Sequence, residues 1–144
     1  MIDVSSDLRL SYLNSINNIE IDGNIVPVYD EHLPVNAPTV TIEGAECYVL
    51  VTDQSETEGL GTMCYDLENA NITLQVITKY PKGSGGKRLS ERISNHIQDA
   101  VKNNFISSLN VKRITKIISQ SQVENTEAEI SFIKNIIYQN DIKL

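Results

Sequence analysis

The sequence lacks any apolar run approaching the roughly 18 residues that a membrane-spanning helix requires. Its opening stretch, MIDVSSDLRL, carries charges where a signal peptide would carry an apolar segment. Neither membrane insertion nor export is therefore expected, and the chain should stay in the cytoplasm or leave it inside an assembly. Cysteines number only two, Cys47 and Cys64, without C-x-x-C spacing, which excludes a disulfide framework and leaves reduced thiols as the expectation. With four prolines and seven glycines in 144 residues there is no low-complexity or linker segment, so one domain spanning 1–144 is expected. Metal-holding spacings are missing too: His32 and His96 are isolated, and neither H-x-x-x-H nor H-E-x-x-H occurs. Asp30 and Glu31 beside His32 read as a loop acid pair rather than a cation site. There is no G-x-S-x-G nucleophile elbow, and no E-x-K of the kind a P-D…E-x-K nuclease carries on a strand. No catalytic residue, metal ligand or cofactor is expected from these patterns.

What the chain does have is a division of charge. Residues 1–70 hold 13 of the 19 acids and a single base, Arg9, whereas residues 71–144 hold 6 acids and 11 bases. Such a split suits head-to-tail contacts between copies or relatives, in which one region complements the other, although a solvated surface explains it equally well.

Periodicity yields an element order. Val4, Leu8, Tyr12 and Ile16 recur at helical spacing, which predicts a helix over 4–17 capped by Asp3, Ser5 or Ser6. After an Asp22-Gly23 turn, residues 24–29 read as one short extended segment, limited by Pro27 to an edge, and DEHLPVNAP as an irregular connection. ECYVLVT (46–52) reads as a strand, DQSETEG as a polar loop and GTMCYD (61–66) as the partner strand, an arrangement that would set Cys47 opposite Cys64. NITLQVITKY (71–80) alternates cleanly, with Ile72, Leu74, Val76 and Thr78 on one face. Leu89, Ile93, Ile97, Ala100, Val101 and Phe105 form an apolar stripe over a helix from about 88 to 105. Residues 111–122 and 126–138 read as a terminal hairpin split at Glu124-Asn125. The order is α-β-β-β-β-α-β-β: an α+β domain whose antiparallel or mixed sheet has an N-terminal helix and a second long helix on one face.

Between the alternating strand and the second helix lies KYPKGSGGKRLS, which superficially matches a phosphate-cradling loop. A Walker-type loop needs G-x-x-x-x-G-K-[ST]; here Arg88 follows Gly86-Lys87 and Pro81 stands five before Gly86. Nucleotide hydrolysis is not supported, and the glycines read as a mobile strand-to-helix connection. The charge is left over: Lys79, Lys82, Lys87, Arg88 and Arg92 are five of twelve bases within fourteen residues, opposed only by Glu91. Bases in a helix's first turn oppose its dipole, so an external anion, a partner's carboxylates or nucleic-acid phosphate, would compensate them if solvent does not.

Three stretches, LRLSYLNSINN, the V-P-V-Y-D of residues 26–30, and TLQVITKYPKGSGGKRLSERISNHIQDAV, followed by the terminal β pair, resemble in their order the tail-terminator, or tail-completion, family of tailed bacteriophages. A looser likeness, in Asn/Ile/Lys-rich usage, is to ring proteins in the short tails of crAss-like phages. The resemblance implies a non-enzymatic virion component assembled in the host cytoplasm. It would form a ring, typically hexameric, at the head-tail connector or tail end, bound to itself and to other ring proteins, with DNA passing through the lumen and no membrane partner. On this expectation Lys79, Lys82, Lys87, Arg88 and Arg92 face an adjacent ring or the lumen, and the acids Asp30, Glu31, Asp53, Glu56 and Glu58 meet other subunits. The rival classes are a nucleotide-binding or nuclease-like enzyme using the same basic loop, and a small cytosolic adaptor that only dimerises.

Overall fold

A computed structural model describes residues 4–58 and 67–143. In chain order the elements are α1 (Ser5–Ser15), β1 (Glu20–Ile21), β2 (Asn24–Ile25), β3 (Val28–Asp30), β4 (Val40–Ile42), β5 (Ala45–Glu58), β6 (Leu67–Pro81), α2 (Arg88–Asn103), β7 (Asn110–Asn125) and β8 (Glu129–Lys143). β3, β5, β6, β8 and β7 lie side by side in that order, and β4 joins the β5 edge beside β3, making a six-stranded sheet. Only β3 runs parallel to its neighbour; every other pairing is antiparallel, so the sheet is mixed. β1 and β2 form a separate two-stranded ribbon. The α+β class, the N-terminal helix and the second long helix stand as expected, with additional short strands.

The alternation of 71–80 explains the centre of the molecule. β6 is flanked along its length by β5 and by β8, and its even-numbered residues Ala70, Ile72, Leu74, Val76 and Thr78 are fully buried beneath the helices. Leu8, Tyr12 and Ile16 of the α1 face, and Leu89, Ile93 and Ile97 of α2, close the core from that one side. Burying each such side chain contributes about 1.5–3 kcal/mol, and this packing, not capping, holds the helices. Indeed α1 begins after Val4 with no side-chain cap hydrogen bond, so Ser5 and Ser6 do not serve as expected, and Asp3 lies outside the described residues. On the opposite face a smaller cluster of Tyr48, Leu50, Ile77 and Ile133 is covered by Tyr29 of β3 and Leu33 of the connection that follows it.

Several boundaries differ from expectation for identifiable reasons. Residues 24–29 are not one segment: β2 pairs with β1 across Asp22-Gly23, and β3 starts beyond Pro27, whose carbonyl accepts from the Val49 N–H. β4 was not anticipated because its turn to β5 is Glu43-Gly44, with positive φ at both residues but none of the usual Asn or Asp signature. The largest correction concerns β5. Its polar second half, read as a loop, is strand through Glu58, because pairing to β6 supplies the hydrogen bonds that its composition does not advertise. β6, rather than 61–66, is the partner, so Cys47 lies opposite Thr78 and not Cys64; residues 61–66 and Cys64 lie outside the described residues. Cys47 is buried and free.

One buried polar chain links the two ends of the polypeptide. The Tyr12 hydroxyl donates to Asn140 Oδ1 at 2.6 Å, and Asn140 Nδ2 donates to the Ala70 carbonyl at 3.1 Å, which fastens α1 to β8 and β8 to β6. The Tyr12 ring packs edge-on against Phe105 at 5.0 Å and beside Tyr138 at 5.9 Å. Tyr12→Phe leaves the Asn140 oxygen buried without its donor, and should cost about 1–3 kcal/mol in urea unfolding. Adding Asn140→Ala should cost less than the sum of the two single changes. Additive losses would show that the pair is not coupled.

Burial also sets an alkaline limit. Desolvation pushes the Cys47 thiol from 9.0 to about 11 and the Tyr138 hydroxyl from 10.0 to about 12, and it raises Tyr12 further. Each folded group keeps a proton that the unfolded chain releases, so the stabilisation is complete below about pH 9 and falls as pH rises toward 12. The urea midpoint should decline across that interval, and a flat profile would contradict the assignment.

Candidate interaction surfaces

The strand-to-helix loop is built differently from an anion cradle. Its first residue is tied back to the terminal hairpin, since Lys82 N–H donates to the Ala128 carbonyl at 3.2 Å and Lys82 Nζ to Asn125 Oδ1 at 3.2 Å. Both the N–H and the hydroxyl of Ser84 donate to the Pro81 carbonyl, at 3.2 and 2.8 Å. Gly85 then passes directly over the edge-to-face pair of Tyr80 and Phe132; a Cβ there would lie 2.7 Å from Tyr80 and 2.9 Å from Phe132, at a φ of +106. The connection is thus a tethered turn rather than the loose one its glycines suggested.

The five bases of this stretch separate into three groups. Arg92 is already paired, to Asp22 at 3.1 Å and Glu43 at 2.8 Å, and Asp22 followed by Glu43 raises its pKa further. Lys79 lies over the Tyr48 ring, 5.5 Å from its centre. Desolvation opposes its charge, but Tyr48 and the nearby Glu129 and Glu46 carboxylates outweigh it, and its pKa rises. Lys82, Lys87 and Arg88 are exposed, and among the described residues none of them forms an ion pair.

The acids separate as well. Asp30 and Glu31 are held by Arg9, whose guanidinium donates to Asp30 Oδ1, to Glu31 Oε2 at 2.7 Å, to the Thr52 carbonyl at 2.6 Å and to the Val51 carbonyl. The single base of the acidic half therefore clamps α1 onto the β3–β5 edge, just where β5 bulges between Val51 and Gln54. Asp53 lies within that bulge and Glu56 and Glu58 beyond it, all on β5 and not in a loop. The basic turn and this acidic arm sit at opposite ends of the sheet: β6 runs from Leu67 and Glu68, the latter paired with Glu58, to Pro81 at the start of the turn.

A second basic surface was not anticipated. The last turns of α2 and the first half of β7 enclose a groove of about 560 Å³ whose floor includes Val101, Phe105 and Tyr138. Lys102, Lys112, Arg113 and Lys116 line it, no acid among the described residues does, and Lys116 Nζ donates to Gln98 Oε1 at 2.8 Å. Lys112-Arg113 and Lys116 are visible as a cluster in the sequence, but Lys102 joins them only through the packing of α2 on the sheet. Apolar floor and cationic rim together suit an acidic amphipathic partner better than a small nucleotide.

No protein-family model and no curated protein matches this sequence. The fold is nevertheless similar to that of a solved chain from the virion of a native gene transfer agent particle, with a TM-score of 0.69 and 11% identity over 100% of each chain.

Gly85→Ala should destabilise the domain by roughly 2–5 kcal/mol, adding overpacking to backbone strain. Gly83→Ala, where φ is +89 but nothing lies within 4 Å, should cost only about 1–2 kcal/mol. Denaturant midpoints measured on both variants test this, and equal losses would show that the Tyr80-Phe132 contact is not limiting.

Proposed function

We propose that this chain is a non-enzymatic structural component of the virion of a tailed bacteriophage or a phage-like particle. Within it, copies form a ring at the head-tail or tail interface, joined to neighbouring rings and surrounding the DNA path. The observation that carries this reading is the fold similarity over the whole of both chains to a component solved within a gene transfer agent virion. The order of elements that resembles tail-terminator proteins adds to it, as do two charged surfaces placed apart, one at an end of the sheet and one along its side. In this reading Lys82, Lys87 and Arg88, which form no ion pair among the described residues, meet the acidic surface of an adjacent ring or the DNA. Arg92, Asp30 and Glu31 serve the fold first, through their internal pairs.

An enzyme using the basic turn is the rival of a different class, and one pair of measurements separates the two. Mass photometry over a concentration series, with electron microscopy of the largest species, should show rings and stacks of rings. Reversing Lys82, Lys87 and Arg88 to Glu should leave the circular dichroism spectrum unchanged and remove stacking or partner-ring binding. A chain that never exceeds a dimer, and that is stabilised against heat by a nucleotide with magnesium, would overturn the proposal.

A further inference from the structure

The sheet has two edges with unpaired stretches, and their charges are opposite. On one side β7 is the last strand, with no partner beyond it among the described residues. On the other, β3 covers residues 49–51 of β5 and β4 covers 45–47, so among the described residues the stretch after Thr52 is paired to β6 alone. Thr52–Glu58 contains Asp53, Glu56 and Glu58 and no base, whereas Asn110–Lys116 contains Lys112, Arg113 and Lys116 and no acid. The register places these two stretches at the same level. One row across the sheet reads Gln54, Ile72, Tyr138, Lys116; the next, Glu56, Ala70, Asn140, Ile114; and a third, Glu58, Glu68, Ile142, Val111.

From this we infer that the acidic arm of β5 in one copy adds to the basic half of β7 in the next, continuing the sheet from subunit to subunit. The inference rests on the ring reading and specifies its lateral contact. Direction agrees: β5, β6, β8 and β7 alternate, so a neighbour's β5 laid beside β7 in the same orientation is antiparallel to it, the better-bonded geometry. Chemistry agrees too, because Lys102, Lys112, Arg113 and Lys116 line the groove beside that stretch of β7 with no carboxylate among them. The acidic arm has a matching deficit. Glu68, opposite Glu58, is fully buried, and neither of its oxygens has a hydrogen-bond partner among the described residues. A buried carboxyl without hydrogen-bond partners is costly, and a cationic edge laid nearby offsets that cost. Because each copy carries one edge of each kind, the contact is head-to-tail and can close into a ring. Bulges at Lys112 and Ile117 in β7 restrict the unbroken ladder to short runs, which opposes open-ended aggregation.

Charge exchange between the two edges tests the contact. Variant A carries Glu56→Lys and Glu58→Lys; variant B carries Lys112→Glu, Arg113→Glu and Lys116→Glu. Each alone should lose ring formation by roughly tenfold or more in the concentration required, because both of its edges then have the same sign. An equimolar mixture should recover rings built from alternating copies, which also shows that both variants are folded. Rings from the wild type together with undiminished rings from A and B would overturn the edge contact and leave the ring reading standing. Failure of the mixture to recover would do the same. A wild type that is monomeric at every concentration would remove both.

Discussion

The hydrogen bond from Tyr12 to Asn140 joins residues 128 positions apart in a fully buried site, and most of the architecture depends on the alignment it imposes. Asn140 lies on β8 and reaches on to the Ala70 carbonyl of β6, so a single amide fixes α1, the central strand and the terminal strand relative to one another. A buried amide has few ways to be satisfied, and an unsatisfied one is costly; the pair therefore selects one register of β8 on β6 among those that the apolar pattern would tolerate. With that register set, the rows of the sheet follow, and so does the level at which β7 presents its bases. Packing of Phe105 on Tyr12 in turn fixes where α2 ends and the groove begins.

Much of this was legible from periodicity. The stripe from Leu89 to Val101 and the alternation from Ile72 to Thr78 are patterns that only one kind of element satisfies, and both elements occur where the spacing puts them. What escaped were stretches whose structure comes from a partner. DQSETE has almost no intrinsic strand preference and is a strand because β6 pairs with it; β1 and β4 are two and three residues long, below any period. Tethering of the glycine turn escaped for a related reason, since Phe132 lies 47 positions after Gly85 and no local signal joins them.

For the candidate surfaces the division is sharper. Counting charges picks out the bases of the turn and the acids of DQSETEG, but counting does not reveal which charges the fold consumes. Arg9 takes Asp30 and Glu31, and Arg92 takes Asp22 and Glu43, through contacts between elements 21 to 70 residues apart. Lys82, Lys87 and Arg88 at the turn form no such pair among the described residues.

The clamp made by Arg9 has one more consequence. By donating to the Val51 and Thr52 carbonyls at the bulge, it extends by one residue the part of the β5 edge that β3 and β4 already cover toward Cys47. In the proposed edge contact a visiting strand would therefore run only over Asp53–Glu58, about 20 Å at the usual rise per residue. There Arg9, with β3 beside it, would act as an end-stop that limits how far two sheets overlap.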